Sequence, residues 1–166
     1  RLDLEGPKDV PSTWHAPQIA RLLHERYVLE IDLFRQEKLD SNALVLSHME
    51  DIRTRVMGAE DPVLAGLQYA ILGNYLDFSA LQGQVSFEKF TQMLDSAGEM
   101  QFDMAVLERF CQDLKKGKKL LYLTDNAGEI GFDRIFAEAI AKIHPNLEIT
   151  FCVRGGPTLN DATRED

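Results

Sequence analysis

Apolar residues between positions 16 and 97 recur at helical spacing, and nowhere in that stretch do they alternate with polar ones as a half-buried strand requires. Ile19, Leu22, Leu23 and Tyr27 share one face of a helix predicted over 17–30, which Pro17 would open at the first helical position, where its missing N–H is no loss. A second helix is predicted over 32–57 through Leu39, Ala43, Leu46, Met49, Ile52 and Val56, with Gly58 as the residue after its end. Asp61 and Pro62 read as the cap and first residue of a third, the most apolar of the set, over 62–81. Ser86 is a candidate cap for a fourth, striped by Phe87, Phe90, Met93 and Leu94. A fifth covers 103–114, led by Met104, Leu107 and Phe110.

The pattern changes at Lys115-Lys116-Gly117-Lys118-Lys119, a solvated turn whose lysines suit a helix C-terminus. Leu120-Leu121-Tyr122-Leu123 is a short unbroken apolar run, the signature of a buried parallel strand. Helical spacing returns over 130–143, and Ile149-Thr150-Phe151-Cys152-Val153 is a second strand. The fold class that follows is α/β: an all-helical N-terminal half, 1–114, packs on the start of a parallel βαβ, Rossmann-like sheet, 115–166, with a site at the strands' carboxyl ends. There is no internal repeat and no low-complexity segment.

Composition narrows the class. With 166 residues, 45% hydrophobic and 27% charged, the chain is an ordinary globular one rather than a disordered or membrane-embedded one. A net charge of -9 argues against a phosphate-neutralising surface, hence against nucleic acid as partner. Cys111 and Cys152 are too few for a disulfide framework or a thiolate zinc site, which points to a reducing compartment, most simply the cytoplasm; each is read as a small packed hydrophobe. His15, His24, His48 and His144 lack metal-ligand spacing.

The chemistry belongs at the strand ends. After the first strand comes Thr124-Asp125-Asn126-Ala127-Gly128-Glu129, and after the second Arg154-Gly155-Gly156-Pro157, then Asn160-Asp161. Asp125, Asn126 and Asp161 are hard oxygen donors of the kind that hold a divalent cation. Gly128 allows close backbone approach, the next helix would aim its N-terminal N–H groups into the same crevice, and Arg154 is a candidate clamp for an anion. Glu129 is either a carboxylate supporting a metal ligand or favourable charge at a helix start. Asn74 and Asp77, one helical turn apart, are either a satisfied polar pair or contacts to a substrate or metal ligand, and Lys38 and Asn42 on the second helix pose the same choice.

LTDNAGEI and RGGPTLNDAT resemble the damage-control phosphatase family, also called domain of unknown function 89, in its prokaryotic subgroup. GNYLDF, the DPVLAGLQYAILGN that leads into it, and DLFRQEKLDSNALVL are similar to that family's helical segments. The resemblance implies a phosphoric monoester hydrolase acting on small phosphorylated metabolites, such as sugar phosphates or damaged metabolites. It also implies a divalent metal (manganese, cobalt, nickel or magnesium) held by Asp125, Asn126 and Asp161, which are then the catalytic set. Gly128, Glu129, Arg154, Gly155, Asn160, Asn74 and Asp77 become its substrate-binding residues. Metal-bound water is the favoured nucleophile, with attack by an aspartate left open. Members of the subgroup begin with a C-x-x-C segment and continue past the second motif into further strands and a phosphate-binding loop. This chain shows neither, so the expectation is a piece of a longer protein with little turnover by itself. No oligomeric state is implied.

Three other readings compete with this one. A haloacid-dehalogenase-type phosphatase needs a second acid where Ala127 stands. An S-adenosylmethionine-dependent carboxyl methyltransferase or other nucleotide binder finds no G-x-G-x-x-G in the first βα loop. A non-catalytic metal- or ligand-binding module is the third.

Overall fold

The computed structural model describes residues 9–75 and 87–166. Helices α1 (Ser12–Tyr27), α2 (Arg35–Gly58), α3 (Pro62–Tyr75), α4 (Phe87–Ser96) and α5 (Met104–Lys116) precede β1 (Lys119–Leu123), α6 (Glu129–Ile143) and β2 (Glu148–Cys152). A single 3-10 turn, Ala97–Glu99, follows α4.

Local chemistry explains most of these boundaries. Asp61 accepts the N–H groups of Val63 and Leu64 at 3.0 Å each and so opens α3. Asp103 does the same for α5 through Ala105 and Val106. Helix α1 differs from expectation: it starts at Ser12, after Pro11, and carries Pro17 inside rather than at its first position. One interior proline removes a single ladder bond, and here the helix continues across it. Gly58 is the last residue of α2, followed by Ala59 in extended conformation, so no left-handed residue ends that helix. Ser86 and the far end of the third predicted helix lie outside the described residues.

The two strands pair in parallel, Leu120 opposite Ile149 and Tyr122 opposite Phe151, with α6 as the crossover. Leu120, Tyr122 and Ile149 turn inward onto an apolar cluster of Val63, Ala70, Leu114, Phe136, Ile140 and Leu147. The other face is open: Leu121 and Leu123 are 63% and 69% exposed. The unbroken apolar run therefore does not mark a strand buried on both sides, because among the described residues helices cover only one face of this two-stranded sheet.

Helix α6 is the centre of the packing. Phe132, Ile135 and Ala139 share one core with Val45, Met49, Ile52 and Val56 of α2, Tyr69 and Leu72 of α3, and Phe90 and Leu94 of α4. Backbone approach is close: a Cβ on Gly66 would meet Phe136 Cα at 3.1 Å, and one on Gly131 would meet Val45 Cγ1 at 2.6 Å. Arg53 of α2 adds an ion pair to Glu138 of α6, Nε to Oε2 at 2.7 Å. The parallel βαβ is thus seated on a helical layer that fixes where the strand ends point.

Candidate functional site

Beyond β1 and β2 the chain forms two loops that cross at an antiparallel bridge between Asn126 and Asp161. The Ala127 N–H donates to the Asn160 carbonyl at 2.9 Å, and the Ala162 N–H to the Asp125 carbonyl at 2.6 Å. Residues facing each other in such a bridge have Cα atoms about 4.5–5.5 Å apart. The backbones of Asn126 and Asp161 therefore face each other, with Asp125 beside them, its carbonyl taken by Ala162. Asp125 is exposed and Asp161 is buried.

Glu129, the first residue of α6, organises the first loop. It is buried, and its Oε2 accepts from Asn126 Nδ2 at 3.3 Å. Asn74 Nδ2, from α3, donates to the same carboxylate at 3.2 and 3.3 Å. Burial pushes the Glu129 carboxyl above its ordinary range; the Asn74 and Asn126 bonds pull it back, and the Asp125 charge adds to the rise. Because the amide NH2 of Asn126 is committed to Glu129, its Oδ1 is the atom left for a ligand. Glu129 and Asn74 thus orient rather than merely fill. Asp77 lies outside the described residues.

One turn further along α6, Asp133 accepts from the Tyr122 hydroxyl at 2.6 Å. Burial, then the charges of Glu129 and Asp125, push Asp133 up to about 7 despite the Tyr122 bond. The Tyr122 phenol is itself pushed up, first by burial and then by Asp133. Asn74, Tyr122, Glu129 and Asp133 line a cavity of about 290 Å³ beside the first loop. The sequence reading missed Asp133; the available signal was a second carboxylate one helical turn after Glu129, on the same face.

Other candidates are placed differently from expectation. Arg154 Nε donates to Asp161 Oδ2, so the candidate anion clamp is engaged by a candidate metal ligand. The Gly128 N–H goes to Asn42 Oδ1 (2.6 Å), and those of Ile130 and Gly131 go to the carbonyls of Asn126 (3.2 Å) and Gly128 (3.1 Å). The start of α6 therefore spends these donors internally, and Gly128, at φ 82°, serves the turn. A Cβ on Gly155 would meet open space, so nothing in the fold demands glycine there. Asn160 contributes its carbonyl to the loop crossing, with its side chain half-buried. Cys152 is exposed rather than packed, whereas Cys111 is half-buried.

Lys38 is buried and bound to Asp32 Oδ2 at 2.8 Å and Asp166 Oδ2 at 3.1 Å. Burial works against its charge, but the two carboxylates outweigh that, and its pKa is raised. Lys38 is thus not a free substrate-binding cation. It lies on the wall of a cavity of about 790 Å³ between the start of α2 and the second loop, lined also by Arg35, Arg154, Gly155 and Arg164.

Among the described residues, no three His, Cys, Asp or Glu side chains are gathered for a metal ion. The candidate set is two carboxylates and an amide, and its donor chemistry suits a hard divalent cation. The orientation of Asn126 and the absence of any hydrogen bond to the Asp125 carboxylate among the described residues fit such a role. Asp161 offers one oxygen beside the one that Arg154 holds.

Residues 3–166 match the family described as the Damage-control phosphatase ARMT1-like domain. The chain belongs to this family. A Methanocaldococcus jannaschii protein named only as uncharacterized is 34% identical over 173 residues, covering 98% of this chain and 55% of its own length. An Archaeoglobus fulgidus damage-control phosphatase is 32% identical over 151 residues, covering 91% and 51%. The chain spans about half the length of these curated relatives. A Pyrococcus horikoshii crystal structure, titled as a DUF89 family protein, superposes with a TM-score of 0.66 at 26% identity over 92% of this chain and 59% of that one. The structural likeness supports a DUF89 fold, and the phosphatase names of relatives do not favour the methyltransferase alternative. Among the described residues no helix is long and apolar enough to cross a membrane.

Proposed function

We propose that this chain carries the metal-binding part of a metal-dependent phosphatase that hydrolyses phosphate esters of small metabolites. The observation that carries the reading is the Asn126–Asp161 bridge, which joins the two motifs of a phosphatase family at the carboxyl ends of parallel strands. Asp125, Asn126 and Asp161 would hold the cation, one of manganese, cobalt, nickel or magnesium. Bound there, it would neutralise phosphoryl charge and activate water.

The protein's own residues do the rest. Glu129, bonded by Asn74, engages the Asn126 NH2 group and leaves its carbonyl oxygen for a ligand. Arg154 holds Asp161 in place and is exposed enough to turn toward an anionic substrate. Asn160 and Gly155 border the place where a phosphate ester would lie, and the large cavity beside Arg154 leaves room for the remainder of a metabolite.

Mn²⁺ binding by calorimetry is the primary test: one site is expected, lost in Asp125→Ala and in Asp161→Ala. Mn²⁺- or Co²⁺-stimulated hydrolysis of an aryl phosphate, abolished by the same substitutions and by chelator, is read second. Mn²⁺ affinity indifferent to both substitutions would overturn the reading.

A further inference from the structure

We propose that Asn42 of α2 is a positioning residue that fastens the two loops of the site to each other, through Gly128 on one side and Asp166 on the other. Its Oδ1 accepts the Gly128 N–H at 2.6 Å, and its Nδ2 donates to Asp166 Oδ1 at 3.0 Å. Gly128 lies two residues after Asn126. On the second loop, Asp166 Oδ2 accepts from the Thr163 N–H at 2.9 Å and the Thr163 hydroxyl at 2.8 Å, and Thr163 lies two residues after Asp161. One amide on a third element therefore bonds to both loops.

The chemistry selects this side chain. A donor is needed toward the Asp166 carboxylate and an acceptor toward the Gly128 N–H, and a primary amide supplies both from one rigid plane. Aspartate would keep the acceptor and set two carboxylates against each other. The Gly128 N–H precedes the first turn of α6, whose ladder offers it no partner, and the residue is buried, so it needs an acceptor from elsewhere. Asp166 is well anchored. Burial alone would raise its pKa, but Thr163 and Lys38 outweigh it and hold the carboxyl below its usual range. Lys38, one turn before Asn42, ties the same carboxylate to Asp32. The arrangement is a chain of contacts, Asp32–Lys38–Asp166–Asn42–Gly128, running along one face of α2. It keeps the spacing between the two loops independent of the bridge itself.

The effect on the cation rests on the phosphatase reading; the fastening of the loops does not. Hydrogen exchange is therefore measured first, without metal. In Asn42→Ala the Gly128 and Thr163 amides should both exchange at least about tenfold faster while amides in the middle of α6 keep their protection. In Asn42→Asp the Thr163 amide should speed up. The exchanged pair Asn42→Asp with Asp166→Asn restores a donor facing an acceptor and should return both amides toward wild-type rates. Mn²⁺ affinity should fall about tenfold in each single variant and recover in the pair. Unchanged exchange at Thr163 in Asn42→Ala, or a folded double variant in which both amides stay fast, would overturn the proposal. Should Asn42→Ala fail to fold, the double variant decides by the same criterion. A wild-type chain that binds no Mn²⁺ would defeat the metal reading and leave the exchange result to judge Asn42.

Discussion

Tyr122 and Asp133 share a hydrogen bond of 2.6 Å that joins the middle of β1 to the second turn of α6. The phenol donates, and the carboxylate that accepts is buried beside the charges of Glu129 and Asp125. A carboxyl in such a place holds its proton more tightly in the folded chain than in the unfolded one.

The sign of the resulting pH dependence is fixed. Asp133 titrates near the ordinary aspartate value of 3.8 when unfolded and is pushed up to about 7 when folded, so the native state binds more protons between those values. This group's contribution to stability falls as pH rises from about 4 to 7 and is constant above that. Asp133→Asn keeps an acceptor for Tyr122 and removes the ionisation. It is expected to raise thermal stability at pH 8, by an amount on the order of a few kcal/mol, and to change it little at pH 4. Melting curves at the two pH values check this.

Glu138 gives the opposite slope. Its bond to Arg53, ahead of the opposing burial, holds its carboxyl below the ordinary range. The stabilisation is present above the unfolded value of about 4.5 and is lost as pH falls through the lower folded one. The pair is partly exposed, so Glu138→Gln should cost only about 0.5–1 kcal/mol at pH 7 and nothing measurable near pH 2. Denaturant titrations of wild type and variant at both pH values test it.

Two glycines separate packing from propensity. Gly66→Ala places a Cβ 2.9 Å from Phe136 Cδ2 and 3.1 Å from its Cα, where backbone cannot yield cheaply. We expect a loss of about 1–3 kcal/mol. Gly58→Ala meets nothing within 4 Å and should be neutral or stabilising, by up to about 1 kcal/mol. Equal effects of the two in urea unfolding would refute the close α3–α6 contact.

Glu129→Gln tests the support of Asn126. Glutamine can keep one oxygen where Asn74 and Asn126 now share Oε2, but it removes the charge that strengthens both bonds and sets an NH2 group against the Asn74 amide in place of Oε1. Mn²⁺ affinity is expected to fall about 10–100-fold with little change in melting temperature. An unaltered affinity would show that the orientation of the Asn126 amide does not matter.

The elements were readable because helical and strand periodicities are local, and Asp61 announces its helix through neighbours two and three residues on; Asp103, which the periodic pattern counts within its helix, caps it in the same way. Pro17 misled because a proline late in the first turns of a helix looks, in sequence, like a proline at its start. The meeting of Asp125 and Asn126 with Asp161 was legible from topology, since parallel strands end on one edge. What holds the meeting in place was not. Asn42 to Gly128, Asn74 to Glu129 and Lys38 to Asp166 join positions far apart along the chain, and no periodic pattern records such pairs. Leu121 and Leu123 looked buried because an apolar run does not say how many of its faces are covered.

The placement of α6 has one more consequence. Its apolar side chains complete the interior that α2, α3 and α4 build, while its first turn anchors the loop that bears Asp125 and Asn126. The basic turn between α5 and β1 is therefore no seam. Severing the backbone there, for instance with trypsin, should leave two fragments that stay associated and co-elute, because neither inherits a complete interior of its own.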